Sequence, residues 1–203
     1  MYHMDEPLGD ASAVALYFLS KEAAGHVKVV LSGEGADELF GGYNIYREPE
    51  SLKKIDWIPF GVRRVIGKLA AKLPDVKGRD FLIRAGMKVE ERFIGNAYIY
   101  REKEKAQILK NKVTGPSTQE YLRPFFKELE SENRGSLRDM EKMQSVDLRY
   151  WLPGDILQKA DKMSMAHSLE VRVPFLDKEV FDFAAKASER SQDCSGYNQI
   201  YFP

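Results

Sequence analysis

Apolar positions organise the chain before any chemistry is considered. From Ala13 to Ala24 the side chains of Val14, Leu16, Tyr17, Phe18 and Leu19 predict a helix. Asp10 or Ser12 is placed to cap it and Gly25 to stop it. Val27 to Leu31 is apolar apart from Lys28, a run that suits a strand buried on both faces, as in a parallel sheet. Ser32-Gly33-Glu34-Gly35-Ala36-Asp37-Glu38 follows at once, and Leu39, Phe40, Tyr43 and Tyr46 then predict a helical segment. From about residue 50 to about residue 150 the pattern is helical, broken near Pro59-Phe60-Gly61, Pro74, Gly78, Gly115-Pro116 and Gly135. Leu137 to Leu152 reads as an amphipathic helix ended by Pro153-Gly154, and Asp155 caps a further helix to about His167. Val171 to Leu176 is extended around Pro174, and Asp177 caps a last helix from Lys178 to about Lys186. The pattern gives about one strand and no internal repeat. A lone parallel-type strand has no sheet to join, so its neighbours are expected in sequence outside this chain.

Composition narrows the class. The 203 residues are 43% hydrophobic and 31% charged, with 31 cations against 31 acids. That describes a globular protein and removes the electrostatic reason to expect nucleic acid as a partner. No apolar run reaches membrane-spanning length, and no membrane partner is expected. The single cysteine, Cys194, cannot form an internal disulfide, which makes the cytoplasm the default compartment. One cysteine and three scattered histidines argue against a structural zinc site.

The glycine loop is the first candidate for chemistry. A strand running through a short Gly-rich turn into a helix presents backbone N–H groups at the end of a sheet. Gly33 and Gly35 would let that backbone approach phosphate oxygens. The Gly-Lys-Ser/Thr of a kinase-type phosphate loop is missing, so that reading fails. Glu34, Asp37 and Glu38 would repel bare phosphate unless Mg²⁺ stood between, with Asp37 the candidate ligand and Glu34 facing the reacting end of a substrate. Short turns of glycine and acid also occur simply as helix starts with solvated acids, and the residue types alone leave both readings open.

The second candidate lies in Lys159-Ala160-Asp161-Lys162-Met163-Ser164-Met165-Ala166, continuing through Leu169-Glu170-Val171-Arg172-Val173-Pro174-Phe175-Leu176-Asp177. Lys159 and Lys162 would share a helix face, either serving an anion or standing solvated beside Asp161. Glu170 and Arg172 would form an exposed pair of little energetic weight. Met163 and Met165 read as packing residues.

Val29 to Tyr43 closely resembles the Ser-Gly-Glu-Gly-x-Asp-Glu signature of asparagine synthetases, and the upstream Asp5-Glu6-Pro7 is similar to the family as well. The second string resembles the family's Lys-x-Asp-Arg-x-Ser-Met-Ala segment, except that Lys162 stands where the pattern usually has arginine. Lysine cannot supply a planar fork, which weakens the case for a bidentate anion contact there. The resemblance covers about residues 1–186. It implies an α/β fold: part of a Rossmann-like ATP-pyrophosphatase domain (adenine nucleotide alpha hydrolase-like), predominantly helical with about one central strand. It further implies that Ser32, Gly33 and Gly35 line the ATP and pyrophosphate site, that Glu34 assists formation of β-aspartyl-AMP, and that Asp37 binds Mg²⁺. Lys159, Asp161 and Lys162 become substrate- or anion-contacting candidates. The implied substrates are aspartate and ATP, with ammonia supplied by a glutaminase domain, in an enzyme that forms a homodimer.

Several parts of such an enzyme are not found here. The glutaminase sequence, the Ser-Gly-Gly-x-Asp-Ser phosphate loop and the Arg-x-Lys-x-Gly-Phe segment with the family's catalytic lysine are absent, so the chain alone is expected to be inactive. Residues 187–203 lose the likeness and are expected to be poorly ordered. Read one base later, the codons for Gln192 to Phe202 can encode Lys-Ile-Val-Arg-Gly-Thr-Thr-Lys-Tyr-Ile-Phe, which resembles the family's next segment and points to a frame slip near Lys186 and Ala187. Two alternatives stand beside this reading. One is another adenylating amidotransferase, such as a β-lactam synthetase-like enzyme. The other is a non-catalytic helical module, to which the basic, amphipathic segment Gly61 to Leu73 would suit a membrane surface or an acidic partner. A surface helix of the synthetase domain is the simpler expectation for that segment.

Overall fold

The computed structural model describes residues 2–5, 7–96, 100, 102–110, 115–132 and 137–190. The expected tail lies mostly outside them, as does Cys194. The chain divides into two compact units, Met1–Tyr43 with Gln144–Pro203, and Asn44–Met143.

The first unit begins with helix α1, Ser12–Ala24, whose opening turn is held by the Asp10 carboxylate accepting the Ser12 N–H at 2.8 Å. Strand β1, Val29–Leu31, follows, then the short helix α2, Ala36–Phe40. Strand β2, Glu170–Arg172, pairs parallel to β1 with Val29 opposite Glu170, Val30 opposite Val171 and Leu31 opposite Arg172. This second strand corrects the expectation of one. Its Glu-Val-Arg sequence carries a single apolar residue, and only a partner from the other end of the chain reveals it as a strand. The expected burial of β1 on both faces is also corrected. Val30 is half-buried, whereas Val29 and Leu31 are exposed. α1 packs on helix α10, Gln158–Met165, but leaves Val14, Phe18 and Leu19 in solvent.

The second unit is helical. It holds α3 (Glu48–Lys53), α4 (Phe60–Ala70), α5 (Arg79–Ala85), α6 (Val89–Arg92), α7 (Glu102–Ile108), α8 (Thr118–Glu132) and the start of α9 (Asp139–Val146). Tyr46, Val89, Leu122, Phe126 and Met143 form its core. The side chain of Arg92, 4% exposed, donates to Glu48 at 2.9 Å, to Asp139 at 2.9 Å and to the Met87 carbonyl at 3.0 Å, so a buried cation ties three helices together.

Pro153-Gly154 does not end a helix. It sits inside a π-helical stretch, Asp147–Leu157, that joins α9 directly to α10. The wider i→i+5 winding relaxes the requirement that proline breaks in an α-helix. A 3₁₀ turn, Pro174–Leu176, and helix α11, Lys178–Arg190, close the described chain, with the last helix running past the expected end at Lys186.

Candidate functional site

The loop after β1 is shaped by backbone bonds and by the second motif. The Ser32 N–H donates to the Arg172 carbonyl at 2.9 Å, which extends the strand pairing by one step. Gly35 then turns with φ 89° and ψ −13°, and α2 starts. Residues other than glycine rarely adopt that conformation. A Cβ on Gly35 would also stand 2.2 Å from Leu176 Cδ2, so the second motif closes over the turn. Phe40 and Phe175 meet edge to face at 6.3 Å just beyond it. Gly33, by contrast, has open space where a Cβ would be.

Asp37 and Glu38 point to different fates. Glu38 is 1% exposed and accepts the Tyr43 hydroxyl at 2.8 Å; burial and that neighbouring carboxylate raise the Tyr43 pKa. Gln144 Nε2 donates to the carbonyls of Glu38 at 2.8 Å and Leu39 at 3.2 Å, fixing the end of α2 from outside the motif. Asp37 is exposed, and its carboxylate lies against Gly42, where a Cβ would come within 1.9 Å of Oδ1. Glu34 is half-buried. Neither carboxylate has a hydrogen bond or ion pair among the described residues. The first motif therefore separates a structural acid, Glu38, from two acids left available.

The lysines of the second motif stand beside acids from the start of the chain. Lys159 is buried and bonded to Asp10 and, at 3.3 Å, to Asp155. Burial alone would lower its pKa, but the two acids outweigh that and raise it. Burial works against Asp10 too, yet the Lys159 bond and the Ser12 N–H bring its pKa down to about 2, while Asp155 is pushed up by burial. Lys162 pairs with Asp5 at 2.7 Å. Both cations pair with acids of this chain, Lys159 in a buried cluster and Lys162 in an exposed pair of little energetic weight. Asp161 is exposed, and its carbonyl accepts the Ser164 hydroxyl. Glu170 and Arg172 form the exposed pair expected of them, at 2.7 Å. Met163 is buried as a packing residue should be, but Met165 is not.

Sequence reasoning missed Gln144 and the acids that hold the lysines. Asp10 was readable only as a helix cap, and Gln144 lies in a helix with no motif of its own.

The asparagine synthase family model matches residues 1–197. The chain belongs to the asparagine synthase family. It is 48% identical over 197 residues to glutamine-hydrolysing asparagine synthetase 1 of Bacillus subtilis, covering 97% of this chain and 30% of that protein. It is 44% identical over 187 residues to a putative glutamine-hydrolysing asparagine synthetase of Mycobacterium tuberculosis, covering 28% of it. A putative enzyme of the same description from Methanocaldococcus jannaschii is 30% identical over 174 residues. The chain thus spans less than a third of the length of these relatives. No solved structure matches it. The family match runs past Lys186, beyond the boundary expected from the sequence.

Proposed function

We infer that this chain is part of the ATP-using half of a glutamine-dependent asparagine synthetase, in which aspartate is adenylated to β-aspartyl-AMP and ammonia displaces AMP. The carrying observation is the joining of the two motifs: β2 pairs with β1, and Leu176 closes over Gly35. Strings lying at opposite ends of the sequence therefore build one loop.

In this reading Ser32, Gly33 and Gly35 set the path of the backbone beside the ATP phosphates. Glu34 contacts the reacting carboxylate end, and Asp37 is the metal ligand. The Asp37 carboxylate fits a magnesium ion only jointly with a nucleotide. It is exposed and unpaired, and no group of three metal-ligating side chains occurs among the described residues. Mg²⁺ bound through one carboxylate normally keeps several waters and takes phosphate oxygens as further ligands. When bound, the ion would supply positive charge to the leaving pyrophosphate.

Uncovered apolar side chains support a Rossmann-like sheet completed by sequence outside this chain. Val29 and Leu31 on β1 and Val14, Phe18 and Leu19 on α1 are uncovered. Burying such side chains stabilises a fold by about 1.5–3 kcal/mol each. Lys159 and Lys162 both stand paired with acids of this chain. Cations for the phosphates are then expected from elsewhere in the enzyme, and the chain alone makes no asparagine.

A chimera tests this. Residues 1–186 replace the matching segment of the Bacillus subtilis relative, and asparagine formation from aspartate, ATP and glutamine is assayed. The chimera should be active, with Glu34→Gln and Asp37→Asn each lowering kcat by about 100-fold or more. A folded chimera that consumes ATP but makes no asparagine would favour another adenylated substrate. Asparagine formed by the 203-residue chain alone would overturn the reading of it as a part.

A further inference from the structure

The segment from Lys53 to Lys77 holds seven cations and two acids, 7 − 2 = +5, in a chain whose total charge is zero. Its helix α4 packs on α5 through small residues. A Cβ on Gly67 would stand 3.0 Å from the Leu82 carbonyl oxygen, and one on Gly86 would stand 2.6 Å from that of Arg63. With the backbones this close, Gly67 and Ala70 are buried and Ile66 is half-buried, while three larger apolar side chains stay in solvent. Val62, Val65 and Leu69, at positions i, i+3 and i+7, form an exposed stripe that Leu73 continues. Trp57, 81% exposed, lies just before the helix. Arg64 and Lys68, at i and i+4, lie on α4 beside the stripe, and Lys72 follows in the turn after the helix. Arg64 pairs with Glu91, whereas Lys68 and Lys72 have no ion pair among the described residues.

We propose that this face of α4 binds an anionic phospholipid surface. The helix would lie in the plane of the interface, with Val62, Val65, Leu69 and Leu73 at the acyl boundary and Lys68 and Lys72 at the phosphates. An amphipathic basic helix has these requirements, and a lysine stem can cover apolar surface while its ammonium reaches a headgroup. No described helix is long and apolar enough to cross a membrane, and lying on the surface needs no such length. A second copy of the chain fits less well. A two-fold contact through this face would set two lysine rows with the same excess of positive charge against each other. The proposal uses none of the site residues of the enzymatic reading.

Vesicle flotation of the 203-residue chain decides it, because aggregated protein does not float. The probes are vesicles of phosphatidylcholine alone and of phosphatidylcholine mixed with phosphatidylglycerol, at low and moderate salt. The chain should float with the mixed vesicles at low salt, be released as salt rises, and shift its tryptophan emission to the blue. Each basic residue near an anionic surface is worth about fivefold in affinity, so Lys68→Ala with Lys72→Ala should weaken binding by about thirtyfold. Val65→Glu with Leu69→Glu should abolish it. All four positions are solvent-exposed, and circular dichroism checks that the variants fold. Should the apolar pair fail to fold, the lysine pair alone decides. No flotation with the mixed vesicles, or equal flotation with both kinds, overturns the proposal. So does a concentration-dependent dimer that ignores vesicles, which would assign the face to a second copy.

Discussion

The two glycines of the first motif should respond very differently to the same small substitution. Gly35→Ala places an L-residue at φ 89°, which costs about 1–2 kcal/mol in the left-handed region. The new Cβ also meets Leu176 Cδ2 at 2.2 Å and Cγ at 2.9 Å, closer than real contacts allow. Leu176 must rotate away. It is half-buried, so it forfeits about 1 kcal/mol of the ~1.5–3 kcal/mol that full burial of a leucine provides. The expected total is about 2–3 kcal/mol. Gly33→Ala meets no atom within 4 Å and has no positive φ, so its cost should stay within ~0.5 kcal/mol. Urea denaturation followed by circular dichroism measures both, with the transitions of the two units assigned before free energies are compared. Leu176→Ala and the double variant complete a cycle. If the steric account holds, the double variant recovers about 1 kcal/mol relative to the sum of the singles. Equal costs at Gly33 and Gly35 would refute the reasoning, because the left-handed conformation and the Leu176 contact occur at Gly35 alone.

Two further outcomes follow from the buried ion pairs. Asp10, whose pKa falls from 3.8 to about 2, contributes stability that is present above about pH 4 and lost as pH falls through 2. Asp10→Asn should therefore flatten the acid limb of a stability–pH profile over that window by about 1–2 kcal/mol, allowing for partial exposure of the carboxylate. An unchanged limb in urea midpoints would count against the bond to Lys159. Asp155 acts with the opposite sign. Its raised pKa means that the folded state holds the proton more readily, so its ionisation costs stability at neutral pH and that cost is relieved as pH falls. In the other unit, Arg92→Met leaves the buried Glu48 with Arg84 as its remaining cation and Asp139 to solvent, and should cost about 2 kcal/mol in thermal or urea unfolding, part of it restored by adding Glu48→Gln. A loss below about 1 kcal/mol would show that the buried cation is not holding those helices.

Local patterns gave the local structure. The helix starting beside Asp10, the strand ending at Leu31 and the turn at Gly35 each follow from side chains a few residues apart. What escaped the sequence depends on partners far along the chain. β2 is three residues with one apolar side chain, and only its register with β1 makes it a strand. Lys159 and Lys162 read as a free basic face because nothing near them names Asp10 and Asp5 as their acids. The π-helical stretch defeated the rule that Pro153-Gly154 ends a helix, since that rule assumes i→i+4 winding. The segment Gly61 to Leu73 reads as basic and amphipathic, but that pattern cannot say which face turns inward. That choice fell to Gly67 and Ala70, through backbone contact with α5.

The site separates two jobs that enzymes handling phosphate usually combine. Shape is supplied from within this chain: the Ser32 N–H bonded to Arg172, the turn under Leu176, and the end of α2 held by Gln144. Charge is not. Glu34 and Asp37 are left open, while Lys159 and Lys162 pair with Asp10, Asp155 and Asp5. Two carboxylates in the loop oppose a bare polyphosphate by Coulomb repulsion, so backbone geometry alone does not draw ATP into it. If the synthetase reading is right, the rest of the enzyme must bring both the metal–nucleotide complex and its positive charge. The loop's fixed backbone would then act on a ligand it cannot capture alone.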